Sequence, residues 1–122
     1  MQVPILKQGN YLIASIQSAL TDSDLSELRD ALVDQVGLYR SKGVIIDLTA
    51  LDVLDSFATR TLRDTAHMIR LRGAETVIVG MQPEVAFAMV QLGLSLEGVS
   101  TALDFEEGLA YLNKRMSSRQ GL

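Results

Sequence analysis

The chain has 122 residues, of which 48% are apolar and 21% charged, and its formal net charge is −4. This length suits one domain, and the composition is that of a folded protein with a hydrophobic core. The mild acidity argues against nucleic acid as a partner, and the lack of cysteine excludes disulfides and thiolate metal sites.

The amino terminus, MQVPILKQGNY, lacks the charged, apolar and small-residue segments of a signal peptide. No apolar stretch approaches the ~20 residues that are needed to span a bilayer. We therefore expect a cytoplasmic protein with no membrane segment. The mean hydropathy of +0.20 is slightly high for a small soluble monomer, which predicts that some apolar surface is buried against other chains.

The first predicted elements are a hairpin and a helix. Apolar runs at residues 3–6 and 11–16 flank a turn at Gly9. A helix is expected to begin at Thr21, with Asp24 placed to complete a capping box. At helical spacing, the inner face of this helix is predicted to consist of Leu25, Leu28, Leu32, Val36 and Tyr39.

The rest of the chain alternates between strands and helices. The predicted elements are, in order, strand 44–48, a helix from Asp55 to about Leu71, strand 76–79, a helix from Pro83, a short strand 101–103 and a helix capped by Asp104. Such units imply a parallel sheet, to which the opening hairpin adds an antiparallel edge. We predict an α/β domain over residues 1–116, with a mixed sheet of four to five strands, about four helices and a frayed tail at 117–122.

Three carboxylates and a serine lie at the junction between the strand at 44–48 and the following helix: Asp47, Asp52, Asp55 and Ser56. Asp and Ser are favoured helix N-caps, and this structural role is the common one. A serine at a helix start is also within reach of another protein. Alternatively, the three aspartates could bind magnesium, but their spacing is loose and no glycine-rich phosphate loop accompanies them.

Nucleophilic catalysis at Ser56 would need a base. The single histidine, His67, lies eleven residues along the same helix. A turn of roughly 100° per residue and a rise of ~1.5 Å per residue point it away from the serine. We therefore predict no catalytic residue, no metal and no cofactor.

The helix after Asp55 has three distinct faces. Its sheet-facing side is predicted to comprise Ala58, Leu62, Thr65, Ala66 and Ile69. A second apolar stripe consists of Phe57, Met68 and Leu71, and a basic face of Arg60, Arg63, His67 and Arg70. Either neighbouring elements cover the second stripe, or it is a protein contact beside the serine. The predicted partner surface consists of Phe57, Arg60, Arg63 and Met68.

Four segments carry a resemblance to a known family: PILK at 4–7, VIIDLTALDVLDSF at 44–57, GMQPEVA at 80–86 and LGLSLEGVSTALDFEEGL at 92–109. The sequence resembles the STAS domain family over nearly the whole chain. Within that family it is most similar to the RsbS-like scaffold proteins of the stressosome. The resemblance implies a single STAS domain that works as a phosphoprotein in stress signalling.

The resemblance also implies partners. In STAS regulators the serine that follows the aspartate at the start of the second helix is phosphorylated, which here is Ser56 after Asp55. For RsbS-like proteins the kinase is RsbT-like, and an RsbX-like phosphatase removes the phosphate. RsbR-like STAS sensors co-assemble with them, so we expect homo-oligomers, such as dimers, within a large assembly that holds the kinase until stress releases it.

One departure from the family concerns the residues after the serine. Direct anti-sigma factor antagonists have small residues and glycine there, whereas this chain has Phe57, Ala58 and Thr59. This favours a scaffold over a direct antagonist and leaves Thr59 as a second hydroxyl near the junction. The alternatives that remain are a direct anti-sigma factor antagonist, a small-ligand or nucleotide-binding STAS module, and a magnesium-dependent enzyme.

Overall fold

The computed structural model describes residues 3–120, with side chains up to residue 117. In chain order the elements are β1 (Ile5–Gln8), β2 (Tyr11–Ser15), α1 (Asp22–Tyr39), β3 (Gly43–Asp47), α2 (Ser56–Leu71), β4 (Glu75–Val79), α3 (Pro83–Gln91), β5 (Ser100–Ala102) and α4 (Phe105–Gln120). The predicted α/β class is confirmed, and each element begins within two residues of its predicted position, although α4 extends further than predicted.

All five strands form one mixed sheet in the order β1-β2-β3-β4-β5. β1 is antiparallel to β2, and every other neighbouring pair is parallel, as predicted. Ser15, Asp47 and Val79 are in register at the carboxyl ends of β2, β3 and β4. The loops that follow these strands therefore emerge at the same edge of the sheet.

The two faces of the sheet are covered unequally. Each of the crossovers β2-α1-β3, β3-α2-β4 and β4-α3-β5 moves one strand further in the same direction, so right-handed connections place α1, α2 and α3 on one face. The larger apolar cluster lies under these helices and includes Val44 and Ile46. Ile45 points to the opposite face, where it packs with Leu112 of α4. Gly108 lets α4 approach the sheet, because a Cβ there would lie 2.5 Å from Cγ1 of Val79.

The predicted start of α1 is confirmed, and one residue of its predicted inner face is not. The backbone N–H of Asp24 donates to Oγ1 of Thr21 at 3.0 Å, and the N–H of Thr21 donates to Oδ2 of Asp24 at 3.2 Å. Tyr39, predicted to face the core, is 46% exposed. The helix ends at this residue, with Arg40 in a left-handed conformation at φ 51°, and Lys7 lies 5.8 Å from the Tyr39 ring centroid.

The carboxyl-terminal helix is longer than predicted. α4 continues to Gln120, through residues 117–120, which the sequence analysis assigned to a tail. No glycine or proline interrupts the chain between Leu109 and Gln120, so nothing local ends the helix earlier. Residues 121–122 lie outside the described part of the chain. None of the helices within residues 3–120 has the length and apolarity required to cross a bilayer.

Candidate functional site

The loop from β3 to α2 is fixed by side chains at its start. Oδ1 of Asp47 accepts from the backbone N–H of Thr49 at 2.9 Å and from its hydroxyl at 2.6 Å. Nε2 of Gln82 donates to the carbonyl of Thr49 at 2.9 Å. These bonds connect the loop after β3 to the start of α3, so the two loops at this edge of the sheet hold each other in place.

A glycine allows the two loops to approach this closely. Gly80, which follows β4, has φ +76°, a conformation that costs a residue with a side chain. A Cβ at this position would lie 2.0 Å from Oγ1 of Thr49. The middle of the β3–α2 loop is anchored by buried Leu51 and Leu54, while Asp52 between them is exposed.

Asp55 is the N-cap of α2. Its Oδ1 accepts from the backbone N–H of Ala58 at 2.8 Å. Ser56 is the first residue of the helix, as predicted, and is half-buried. Within residues 3–120 its hydroxyl has no hydrogen-bond partner. The cap role therefore falls to the aspartate, and the serine hydroxyl remains available at the positive end of the helix dipole.

Thr59 does not provide a second accessible hydroxyl. Its side chain is fully buried, and its Oγ1 donates to the carbonyl of Asp55 at 2.9 Å. Thr65 behaves alike, with its hydroxyl donating to the carbonyl of Thr61 at 2.6 Å. Burying these two threonines costs little, because each hydroxyl donates to the backbone carbonyl four residues earlier. The chain in this conformation therefore presents Ser56 and withholds Thr59.

The predicted partner surface is only partly on the outside. Arg60 is exposed, and Met68 is 38% exposed. Phe57, in contrast, packs partly against the larger apolar cluster. Arg63 is half-buried, and its Nη1 donates to the carbonyl of Ser95 at 3.3 Å. The structure thus brings Phe57 and Arg60 beside Ser56, whereas Arg63 also has an internal role and Met68 lies three turns away along α2.

The three aspartates do not converge. Asp47 is bound to Thr49 and Asp55 to Ala58, while Asp52 projects to solvent. In the described part of the chain, no group of three or more His, Asp or Glu side chains is placed to hold a metal ion. His67 is exposed on α2, roughly 16 Å along the helix axis from Ser56 at 1.5 Å per residue. It is too far away to act as a base for the serine.

Two contributors to the site were not singled out as site residues in the sequence analysis. Thr49 and Gln82 organise the loop that leads to Ser56, although neither adjoins it in sequence. Their signal is positional: each follows a buried strand by two or three residues, and the carboxyl ends of parallel neighbours meet at one edge. Polar residues at matching offsets after neighbouring parallel strands are therefore candidates for loop-to-loop contacts.

Comparison with known families and structures agrees with this geometry. The family model described as the STAS domain matches residues 2–107. A serine-to-glutamate variant of RsbS from Moorella thermoacetica is 34% identical, with a TM-score of 0.81, over 93% of this chain and 97% of that one. A chain from a structure titled as the molecular architecture of the stressosome is 32% identical, with a TM-score of 0.75, over 93% and 98% of the two chains.

A curated relative is longer than this chain. The RsbT co-antagonist protein RsbRA of Bacillus subtilis (strain 168) is 25% identical over 107 residues, which cover 88% of this chain and 38% of the relative. The chain therefore spans less than two-fifths of the length of that protein. The resemblance to the STAS family and to RsbS that the sequence motifs indicated is confirmed.

Proposed function

Because the chain belongs to the STAS domain family, we propose that it is a non-catalytic, cytoplasmic scaffold of a stressosome-type assembly. In this role it holds an RsbT-like serine kinase and is switched by phosphorylation of Ser56. The observation that carries the proposal is the free, half-buried hydroxyl of Ser56 at the first position of α2, beside an aspartate that already caps the helix. A regulatory role is supported by similarity to RsbS and to a stressosome chain over 93% of the sequence.

Phosphorylation is expected to leave the fold intact. A phosphoserine adds a charge of about −1.5 to −2 at neutral pH. At the start of α2 the positive end of the helix dipole favours this charge by roughly 0.3–1 kcal/mol. Asp55 repels it, and exposed Arg60, one turn along the helix, attracts it. These local contributions are small and of opposite sign, so they nearly cancel.

The effect on a bound kinase is larger. Within a desolvated contact around Ser56 and Phe57, an unpaired phosphate would cost several kcal/mol. A loss of ~3 kcal/mol weakens binding about a hundredfold, since 1.4 kcal/mol corresponds to a factor of ten. The phosphate thus releases the kinase by repulsion at the surface while the domain stays folded.

The test is to incubate the protein with an RsbT-like kinase and ATP, to locate the phosphate by mass spectrometry, and to measure kinase affinity and thermal midpoint for both forms. We expect phosphate on Ser56, none on Ser56→Ala, and wild-type labelling of a Thr59→Val control. Ser56→Ala should keep the kinase bound, and Ser56→Asp, with about half the charge of a phosphate, should weaken binding partly. Phosphate at another residue, or affinity that does not change on phosphorylation, would show the proposal to be wrong.

The remaining partners follow from the same proposal: RsbR-like STAS sensors that co-assemble with the chain, an RsbX-like phosphatase, and a second copy in a homo-oligomer. An exposed apolar patch supports assembly, since α3 and the residue after it leave Phe87, Val90 and Leu92 largely uncovered. Mixing with an RsbR-like sensor should give very large particles in light scattering. A direct anti-sigma factor antagonist would instead form a small complex with an anti-sigma kinase.

A further inference from the structure

A concave pocket lies at the opposite end of the sheet from Ser56. It is lined by Arg40, Lys42 and Arg72 together with Gly37, Ser41 and Gly73, and has a volume of about 340 Å³. We refer to it as the basic pocket. Its cations come from two segments that are some 30 residues apart in sequence, the α1–β3 and α2–β4 connections. They meet because β3 and β4 are parallel neighbours, so their amino ends lie side by side.

The backbone around the basic pocket is well fixed. The N–H of Lys42 donates to the carbonyl of Asn10 at 2.7 Å, and the carbonyl of Lys42 accepts from the N–H of Glu75 at 3.1 Å. Ser41 is buried, and its N–H donates to the carbonyl of Val36 at 3.1 Å. The cationic side chains therefore project from a rigid edge of the sheet.

The absence of a side chain at Gly37 makes room for the guanidinium of Arg72. The guanidinium of Arg72 lies over Gly37 of α1, where a Cβ would be 1.6 Å from its Nη2. Any other residue at position 37 would displace this guanidinium. The side chain of Arg72, which follows α2, therefore reaches across to α1 and forms part of the wall of the pocket.

The protein offsets the positive charge in the basic pocket only in part. Its lining contains no carboxylate, and within residues 3–120 none of the three cations forms an ion pair or a side-chain hydrogen bond. The nearest acidic residue in sequence, Glu75, is paired instead with Arg115 at 3.4 Å and Arg70 at 3.8 Å. The carboxyl ends of α1 and α2 supply about half a negative charge each, which leaves a residual of about two positive charges.

We propose that the basic pocket binds a small phosphate dianion, either inorganic phosphate or the phosphate group of a small metabolite. A phosphate carries about −1.5 to −2 charges, which matches the residual charge better than a single carboxylate or chloride does. The planar guanidinium of Arg72 suits two oxygens of one phosphate. This inference does not depend on the phosphorylation of Ser56, which lies at the other end of the sheet.

The test is an NMR titration of the backbone amides with inorganic phosphate, with chloride at equal ionic strength as the reference. We expect saturable shifts at Gly37, Ser41, Lys42 and Gly73 with phosphate only. Gly37→Ala keeps every charge but displaces the Arg72 guanidinium, so it should weaken binding about tenfold, as Arg72→Gln should. Lys114→Gln, an exposed cation on α4 with the same change in charge, is the matched control and should bind as the wild type does.

The outcomes distinguish a specific phosphate site from non-specific electrostatic attraction of anions. Equal weakening by Lys114→Gln, or no loss with Gly37→Ala, would identify non-specific charge attraction and overturn the proposal. Shifts of equal size with chloride would do the same. Binding of a glutamate-rich peptide at the same amides, without any response to phosphate, would assign the pocket to a protein partner instead.

Discussion

The two ends of the parallel sheet use charge in opposite ways. At the carboxyl end, Asp47 and Asp55 are both bound to backbone N–H groups and build the loop that presents Ser56. At the amino end, Arg40, Lys42 and Arg72 line a pocket and have no protein partner in the described residues. Charge at the carboxyl end therefore stabilises the fold. At the amino end, the buried carboxylate of Glu75 is paired with Arg115 and Arg70, whereas the cations of the basic pocket have no such partner in the described residues.

A pair of glycine variants tests this contrast with the largest expected effect. Gly80→Ala forces a side chain into a left-handed conformation and into Oγ1 of Thr49, so we expect the free energy of unfolding to fall by about 1–3 kcal/mol. Gly37→Ala meets only the far end of the exposed Arg72 side chain, which has room to move aside, and gains helix propensity, so stability should stay equal or rise by up to ~1 kcal/mol. Urea unfolding of both variants gives the comparison.

The two variants show whether the carboxyl end of the sheet tolerates an added side chain less well than the amino end does. Equal losses of unfolding free energy in the two variants would mean that the position of Arg72 over Gly37 matters as much for stability as the loop at Thr49. The contrast between the two ends would then be wrong. A Gly80→Ala variant as stable as the wild type would show that the loops after β3 and β4 do not depend on their close approach.

The N-cap of α2 is the next largest effect. Asp55→Ala removes the acceptor for the N–H of Ala58, which should cost about 1 kcal/mol of stability. Asp55→Asn keeps an acceptor oxygen and should lose only a few tenths of that value. Thermal unfolding of the two variants at one pH distinguishes the contribution of the capping hydrogen bond from that of the negative charge. If Asp55→Asn lost as much as Asp55→Ala, the negative charge rather than the hydrogen bond would be responsible.

The sequence was sufficient for the elements and for the position of Ser56. Helical spacing, the Thr21–Asp24 capping box and the strand–helix alternation are local signals, and each was confirmed, apart from the placement of Tyr39. Tyr39 was wrongly predicted to face the core, because helical periodicity does not show where a helix extends beyond the sheet that it covers. In the structure it is the last residue of α1 and only half covered.

The environment of the site was less predictable than its position. The sequence analysis left Thr59 as a second hydroxyl near the junction, yet this hydroxyl donates to the carbonyl of Asp55, which makes its burial inexpensive. Arg63 finds an acceptor at Ser95, 32 residues away, which no local pattern encodes. The basic pocket was missed for the same reason, because its cations come together only after two parallel strands have paired.

A further prediction, of similar size, concerns how α4 is held at the amino end of the sheet. The hydroxyl of Tyr11 donates to Oδ1 of Asn113 at 2.5 Å, and its ring packs beside Leu112. Tyr11 is 7% exposed, and this burial raises the pKa of its phenol. Tyr11→Phe keeps the ring and loses the hydrogen bond, which should lower stability by about 0.5–1.5 kcal/mol at neutral pH.

The pH dependence gives this prediction its sign. Because the folded pKa lies above the unfolded value near 10, the phenol contributes its full stabilisation below pH ~10 and loses it as pH rises through the folded pKa. The advantage of the wild type over Tyr11→Phe should therefore shrink between pH 7 and strongly alkaline pH. The two proteins differ only in this hydroxyl, so contributions common to both cancel in the difference. An advantage that stayed constant across this range would mean that the folded pKa of Tyr11 is not raised, and no advantage at neutral pH would mean that α4 is held at the amino end by apolar packing alone.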